Sequence, residues 1–117
     1  MTLEQSERFS CMSEENKGKV NDFMTLLSKS KMLNTLYVLA CSDKAIRFSE
    51  IKTRVNSSST TVSRRLKELE EYHLVIRKVF PTVPTTVEYQ LSDDAIALKP
   101  SLELLFEWVL NNSDSAK

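Results

Sequence analysis

The chain has 117 residues, with 16 Lys plus Arg balanced by 16 Asp plus Glu, and it carries one Gly, two Cys and one His. Its length and 41% hydrophobic content suit one domain with one core, helical in bulk and neither disordered nor fibrous. With no apolar run near the roughly 18 residues of a membrane span, no signal-like leader, one His and two Cys 30 positions apart, the expectation is a cytoplasmic non-enzyme without metal, cofactor or membrane association.

Residues 1–16 are polar, rich in Ser and Glu and without a clear period, and they read as a tail or a short outer helix. From about 18 to 29, Val20, Phe23, Met24 and Leu27 recur at helical spacing and give one apolar face. The next stretch, about 31 to 41, is apolar on most sides and predicts a buried central helix, with Cys41 a core thiol at its end. Ser42-Asp43-Lys44 is a turn, and Arg47-Phe48 a brief extended piece. Ser49 is a candidate N-cap for a short helix to about 55 that buries Ile51 and Val55.

Asn56-Ser57 predicts a tight turn, with Asn56 able to take a left-handed conformation, and Ser58 caps a longer helix from about 59 to 72. At about 100° per residue, Val62, Leu66 and Leu69 form its buried stripe. Thr60, Arg64, Lys67 and Glu71 face the other way, with Ser63 and Thr61 on the shoulders. Hydroxyls and bases gather toward its start and acids toward its end, against the helix dipole. That arrangement suits a helix whose N-terminal half meets DNA in the major groove. A plain amphipathic helix with the pairs Arg64–Glu68 and Lys67–Glu71 is the competing reading.

Residues 74–80 and 87–91 read as two strands joined by a stiff loop with Pro81 and Pro84. Ser92 caps a last helix, with Asp93 and Asp94 in its first turn and Pro100 as a kink or restart. Beyond it, Leu102, Leu105, Phe106 and Val109 form one stripe, while Leu104 and Trp108 point elsewhere. Two apolar faces on a terminal helix predict packing on its own domain and on a second copy of the chain. The other reading folds Trp108 back on the N-terminal helix.

The neutral total hides a distribution. Residues 44–78 hold nine positive and four negative charges, whereas 79–117 hold two positive and six negative. A basic middle and an acidic end fit a nucleic-acid surface on one side and a protein-facing side on the other, against the bland alternative of solvated charge.

Helix, helix, short helix, turn, amphipathic helix, hairpin, helix is the order of a winged helix-turn-helix. Arg47-Phe48-Ser49-Glu50-Ile51, Arg65-Leu66-Lys67-Glu68-Leu69-Glu70-Glu71, Phe80-Pro81-Thr82-Val83-Pro84 and Val87-Glu88-Tyr89-Gln90-Leu91-Ser92 occur in register over about 31 to 110. The chain thereby resembles the HxlR-type branch of the MarR-like transcriptional regulators. The resemblance implies a mainly α fold with a small β hairpin (α+β), a single domain over 17–112 between tails 1–16 and 113–117, and dimerisation through N- and C-terminal helices. It also implies a homodimer that binds double-stranded DNA, with the recognition helix at about 59–72 and the wing at about 74–91. Carried over by residue, the DNA-facing positions are Ser59, Thr60, Thr61, Ser63, Arg64 and Lys67, with Arg64 suited to a bidentate guanine contact. Arg47 and Lys52 are backbone candidates, and of Arg77 and Lys78, which alternate across a strand, at most one faces DNA easily. The dimer candidates are Phe23, Leu27, Leu104 and Trp108.

Three departures stand out. Thr86 replaces the family's basic residue, leaving the wing loop uncharged. Cys11-Met12 replaces Cys-Pro, which sets Cys11 as a redox-sensor candidate against an inert thiol. Lys31-Met32 replaces Lys-Trp. The uncharged wing and Trp108 also keep open a winged-helix module that binds proteins and not DNA.

Overall fold

Three of the helices begin where a serine hydroxyl satisfies a free backbone N–H. In the computed structural model, which describes residues 12–112, helix α1 (Glu14–Leu27) opens at Ser13, whose hydroxyl accepts from the Asn16 N–H at 3.1 Å. It starts earlier than the apolar spacing predicts, because a cap followed by Glu14 and Glu15 sets the start ahead of the first apolar residue. Helix α2 (Met32–Ala40) follows a left-handed Lys31. Met32, Thr35, Leu36, Val38, Leu39 and Ala40 are buried, but Leu33 and Tyr37 are exposed. Cys41 is exposed as well, so the expected core thiol and all-round burial are both overturned. Neighbouring helices and the sheet cover one side of α2, and its apolar back at Leu33 and Tyr37 is left partly open to solvent.

Strand β1 (Ile46–Arg47) runs straight into helix α3 (Phe48–Val55), with Arg47 at the cap position and not Ser49. Ser49 lies inside the first turn, where its carbonyl accepts from the Thr53 hydroxyl at 3.0 Å. The turn is the one the sequence predicts: Asn56 has φ of 57° and ends α3. Helix α4 (Ser59–Glu71) then opens under the Ser58 hydroxyl, which accepts from the Thr61 N–H at 3.2 Å. Its buried residues are Val62, Leu66 and Leu69, as the periodicity requires.

His73 stops α4. Its φ is 63°, its N–H donates to the Glu70 carbonyl at 3.0 Å, and the Leu74 N–H donates to the Leu69 carbonyl at 2.9 Å. This is the paired bonding of a Schellman cap, with histidine in the left-handed position that glycine usually fills. The chain's one glycine, Gly18, lies inside α1 and serves no turn.

Strands β2 (Val75–Phe80) and β3 (Thr86–Leu91) pair antiparallel, from Val75 opposite Leu91 to Phe80 opposite Thr86. The sheet has three strands and not two, since β1 adds to the free edge of β3 with Ile46 opposite Tyr89. That pairing satisfies the short segment's backbone while Ile46 enters the core. Helix α5 (Asp93–Asn111) is capped by Ser92, whose hydroxyl accepts from the Ala95 N–H at 3.2 Å and donates to the His73 carbonyl at 2.7 Å. It runs through Pro100 without a restart. The core gathers Met32, Leu36, Ile51, Val55, Val62, Leu66 and Leu69 from the central helices and is closed by Val75, Leu91, Ala95 and Leu102.

Candidate nucleic-acid interface

The buried stripe of α4 fixes what its other side presents. With Val62, Leu66 and Leu69 turned into the core, Ser59, Thr60, Ser63, Arg64 and Lys67 are all exposed along the N-terminal two-thirds of the helix. Thr61 differs from its neighbours. It is half-buried, and its hydroxyl accepts from Ser58 Oγ at 3.0 Å, which commits it to the cap.

Neither i,i+4 pair predicted for this helix forms. Glu68 is engaged instead by Arg65, one turn before it, and by Lys29, which reaches over from the turn after α1. Desolvation pushes the Glu68 carboxyl upward, but the Lys29 hydrogen bond and the Arg65 and Lys29 charges outweigh it and hold the group below its ordinary value. The consequence for the exposed face is direct. Arg64 and Lys67 make no ion pair among the described residues, so both cations are free to meet an external anion.

The remaining basic residues divide by sheet face. Directly opposed residues of an antiparallel pair share a face. Arg77 lies opposite Tyr89 and shares a cleft with Ser63, Lys67 and Glu70 of α4. Lys78 lies opposite Glu88, and Glu88 lies opposite Arg47, so these three form one row on the other face. Lys52 is exposed on α3, and Arg54 on the same helix is held by Glu50 at 3.1 Å. Residues 81–85, the wing tip, are exposed and uncharged; the Thr82 hydroxyl donates to the Pro84 carbonyl at 2.7 Å.

A capped helix with a free hydroxyl-and-base face, a preceding helix turned in by a left-handed Asn56, and a following two-stranded wing make up a winged helix-turn-helix. Residues 26–117 match the family described as HxlR-like helix-turn-helix. The chain belongs to that family. A relative 39% identical over 110 residues is an uncharacterized HTH-type transcriptional regulator of Halalkalibacterium halodurans; the match covers 86% of this chain and 96% of that one. Among solved structures, the reduced form of the transcriptional regulator YodB from B. subtilis superposes with a TM-score of 0.67 at 32% identity, over 78% of this chain and 88% of that one. The redox regulator HypR in its reduced form gives 0.71 at 27% identity, over 84% of this chain and 96% of that one.

This HxlR-like chain exposes a second, apolar surface. On α5, Leu104 is 67% exposed, Trp108 60% and Leu110 75%, and Leu105 and Val109 are open as well. Trp108 therefore does not fold back on α1. Of the stripe predicted for this helix only Leu102 and Phe106 pack inward, Phe106 edge-on to Tyr37 with ring centroids 5.0 Å apart. Phe23 and Leu27 are partly buried against their own core, Phe23 beside Tyr72 at 5.6 Å. Val20 and Met24 are the open apolar residues of α1. Cys11 lies outside the described residues.

Sequence reasoning gave Arg65, Lys29 and Tyr89 no part in the site, although Arg65 and Tyr89 stand in the motifs quoted above. At about 100° per residue Arg65 falls beside the buried stripe, and that offset is the signal that could have separated it from Arg64. Lys29 and Tyr89 carry no such local signal, because their partners arrive through tertiary contact.

Proposed function

We propose that the chain is a sequence-specific, double-stranded DNA-binding regulator of transcription that acts as a cytoplasmic homodimer and not as an enzyme. In this reading α4 enters the major groove and β2–β3 flank it. One observation carries the reading: Ser59, Thr60, Ser63, Arg64 and Lys67 form a continuous exposed face near the helix start, with both cations unpaired among the described residues. Hydroxyls and backbone N–H groups there fix the register on phosphates, and Arg64 reads a guanine edge through two parallel hydrogen bonds. Membership of a helix-turn-helix family and relatives named as transcriptional regulators support it.

The homodimer rests on the open apolar surface of α5 and α2. Leu33, Asn34, Tyr37, Phe106, Val109 and Leu110 line a groove of ≈ 400 Å³ between the two helices, continuous with exposed Leu104, Leu105 and Trp108. A face of this kind on a small chain calls for a partner, and a two-fold pair of recognition helices calls for a second copy. No helix among the described residues is long and apolar enough to cross a membrane.

Electrophoretic shifts on the DNA upstream of the protein's own gene test the reading. Binding is expected to weaken steeply with salt. Arg64→Ala is expected to cost about 1–3 kcal/mol on the preferred site and to relax selectivity at one base pair. A parent protein that shifts no duplex at low salt would sink the function.

A further inference from the structure

The two adjacent cations of β2 point to opposite sides of the sheet, and the rest of the fold gives those sides different partners. On one side, Arg77 and Lys67 line a cleft with Ser63, Tyr89 and Glu70 between α4 and the root of the β2–β3 hairpin. Arg77 makes no ion pair among the described residues, although it also lines a neighbouring cleft together with Glu70, Asp93 and Asp94. On the other side, Lys78 and Arg47 flank Glu88 in one cross-strand row, so a carboxylate sits between them.

We propose that the cleft between α4 and the hairpin root is a seat for one DNA backbone phosphate, held by Arg77 and Lys67, and that Lys78 and Arg47 take no part in it. The inference rests on the DNA-binding reading and sharpens it. Ser63 and Lys67 lie one helical turn apart, so a duplex whose bases meet the start of α4 brings its backbone past both of them. Arg77 reaches the same cleft from the sheet and supplies a planar fork of donors suited to phosphate. Two cations face Glu70 within this cleft, Asp93 and Asp94 lie in the adjoining one without pairing to Arg77, and Ser63 and Tyr89 add neutral hydroxyls to its lining. The Arg47–Glu88–Lys78 row likewise sets two cations against one carboxylate. That row lies on the sheet face away from α4, however, and a duplex docked on α4 does not reach it.

The test is the salt dependence of binding to a random-sequence duplex, measured for the full chain and four variants. Each phosphate contact contributes about one to the slope of log affinity against log salt. Arg77→Gln is expected to lower the slope by about one, on random and preferred duplexes alike, while Arg77→Lys keeps it. Lys78→Gln and Arg47→Gln are expected to leave it unchanged. All three positions are exposed, and matched thermal melts identify any variant that loses the fold. An unchanged slope for folded Arg77→Gln overturns the phosphate seat while leaving DNA binding intact, as does an equal loss for Lys78→Gln. A parent protein that binds no duplex overturns the seat and the DNA-binding reading together.

Discussion

At the scale of single residues, Glu68 separates the charges of α4 that are paired within the fold from those left free at its surface. It accepts from Arg65 and Lys29, and the Arg65 side chain is only 15% exposed, with its Nε buried and without a hydrogen-bond partner. Removing the carboxylate leaves a largely buried guanidinium uncompensated. Glu68→Gln is therefore expected to cost about 1–2 kcal/mol of stability in urea denaturation near neutral pH. The sign of its pH dependence follows from the lowered pKa. A carboxyl held below 4.5 in the folded chain adds stability above its unfolded value, and that stability is lost as pH falls through the folded value. The gap between parent and variant should thus be full at neutral pH and close below pH 4.5. A gap that persists in acid would show that the pair does not act through its charge.

At the scale of elements, the turn after α4 sets where the recognition helix ends and the hairpin begins. His73 holds a left-handed backbone that costs a non-glycine residue about 1 kcal/mol, and its exposed side chain offers no packing in return. His73→Gly is expected to raise stability by up to about 1 kcal/mol in a denaturant titration, with DNA affinity unchanged. A loss of stability would mean that the imidazole has a partner outside its own turn. The same turn is tied to α5, since the His73 carbonyl accepts from the Ser92 hydroxyl and the Ser92 N–H donates to the Leu74 carbonyl at 2.9 Å. The start of the dimer-candidate helix and the end of the recognition helix are thereby held by one serine.

At the scale of the whole molecule, an elongated shape with an open apolar surface argues for a partner. The radius of gyration is 16.6 Å and the longest extent 56 Å, against about 13 Å for the radius of a compact 100-residue domain. The excess reflects an elongated chain of 56 × 38 × 24 Å, whose helices α5 and α2 carry the open apolar surface. Leu104 and Trp108, both exposed, are the positions at which a charge should break a dimer without entering the core. Leu104→Glu with Trp108→Glu is expected to give monomers in sedimentation velocity while circular dichroism stays helical. Losing the tether between two recognition helices should weaken operator binding by about a hundredfold or more. A parent protein that sediments as a monomer at micromolar concentration would remove the homodimer from the reading.

Local signals in the sequence located most of the fold. Ser58, Ser92 and Asn56 sit at the caps and turn that their chemistry favours, and the stripe of Val62, Leu66 and Leu69 is buried where the helical period places it. Those outcomes depend on residues within one or two turns of each other, which a linear pattern records. The exposed face of α4 follows from the same stripe by subtraction. What the sequence left open was decided by contacts between residues far apart in the chain. Glu68 prefers Lys29, 39 positions away, to the i,i+4 partner that spacing suggests, and this frees Arg64. Cys41 and Tyr37 stay exposed because α5 covers that side of α2 only in part, through Phe106, a fact that hydropathy cannot express. Arg77 and Lys78 carry the same charge at adjacent positions. The β2–β3 register and the packing of α4 on one sheet face, both tertiary choices, give them different surroundings.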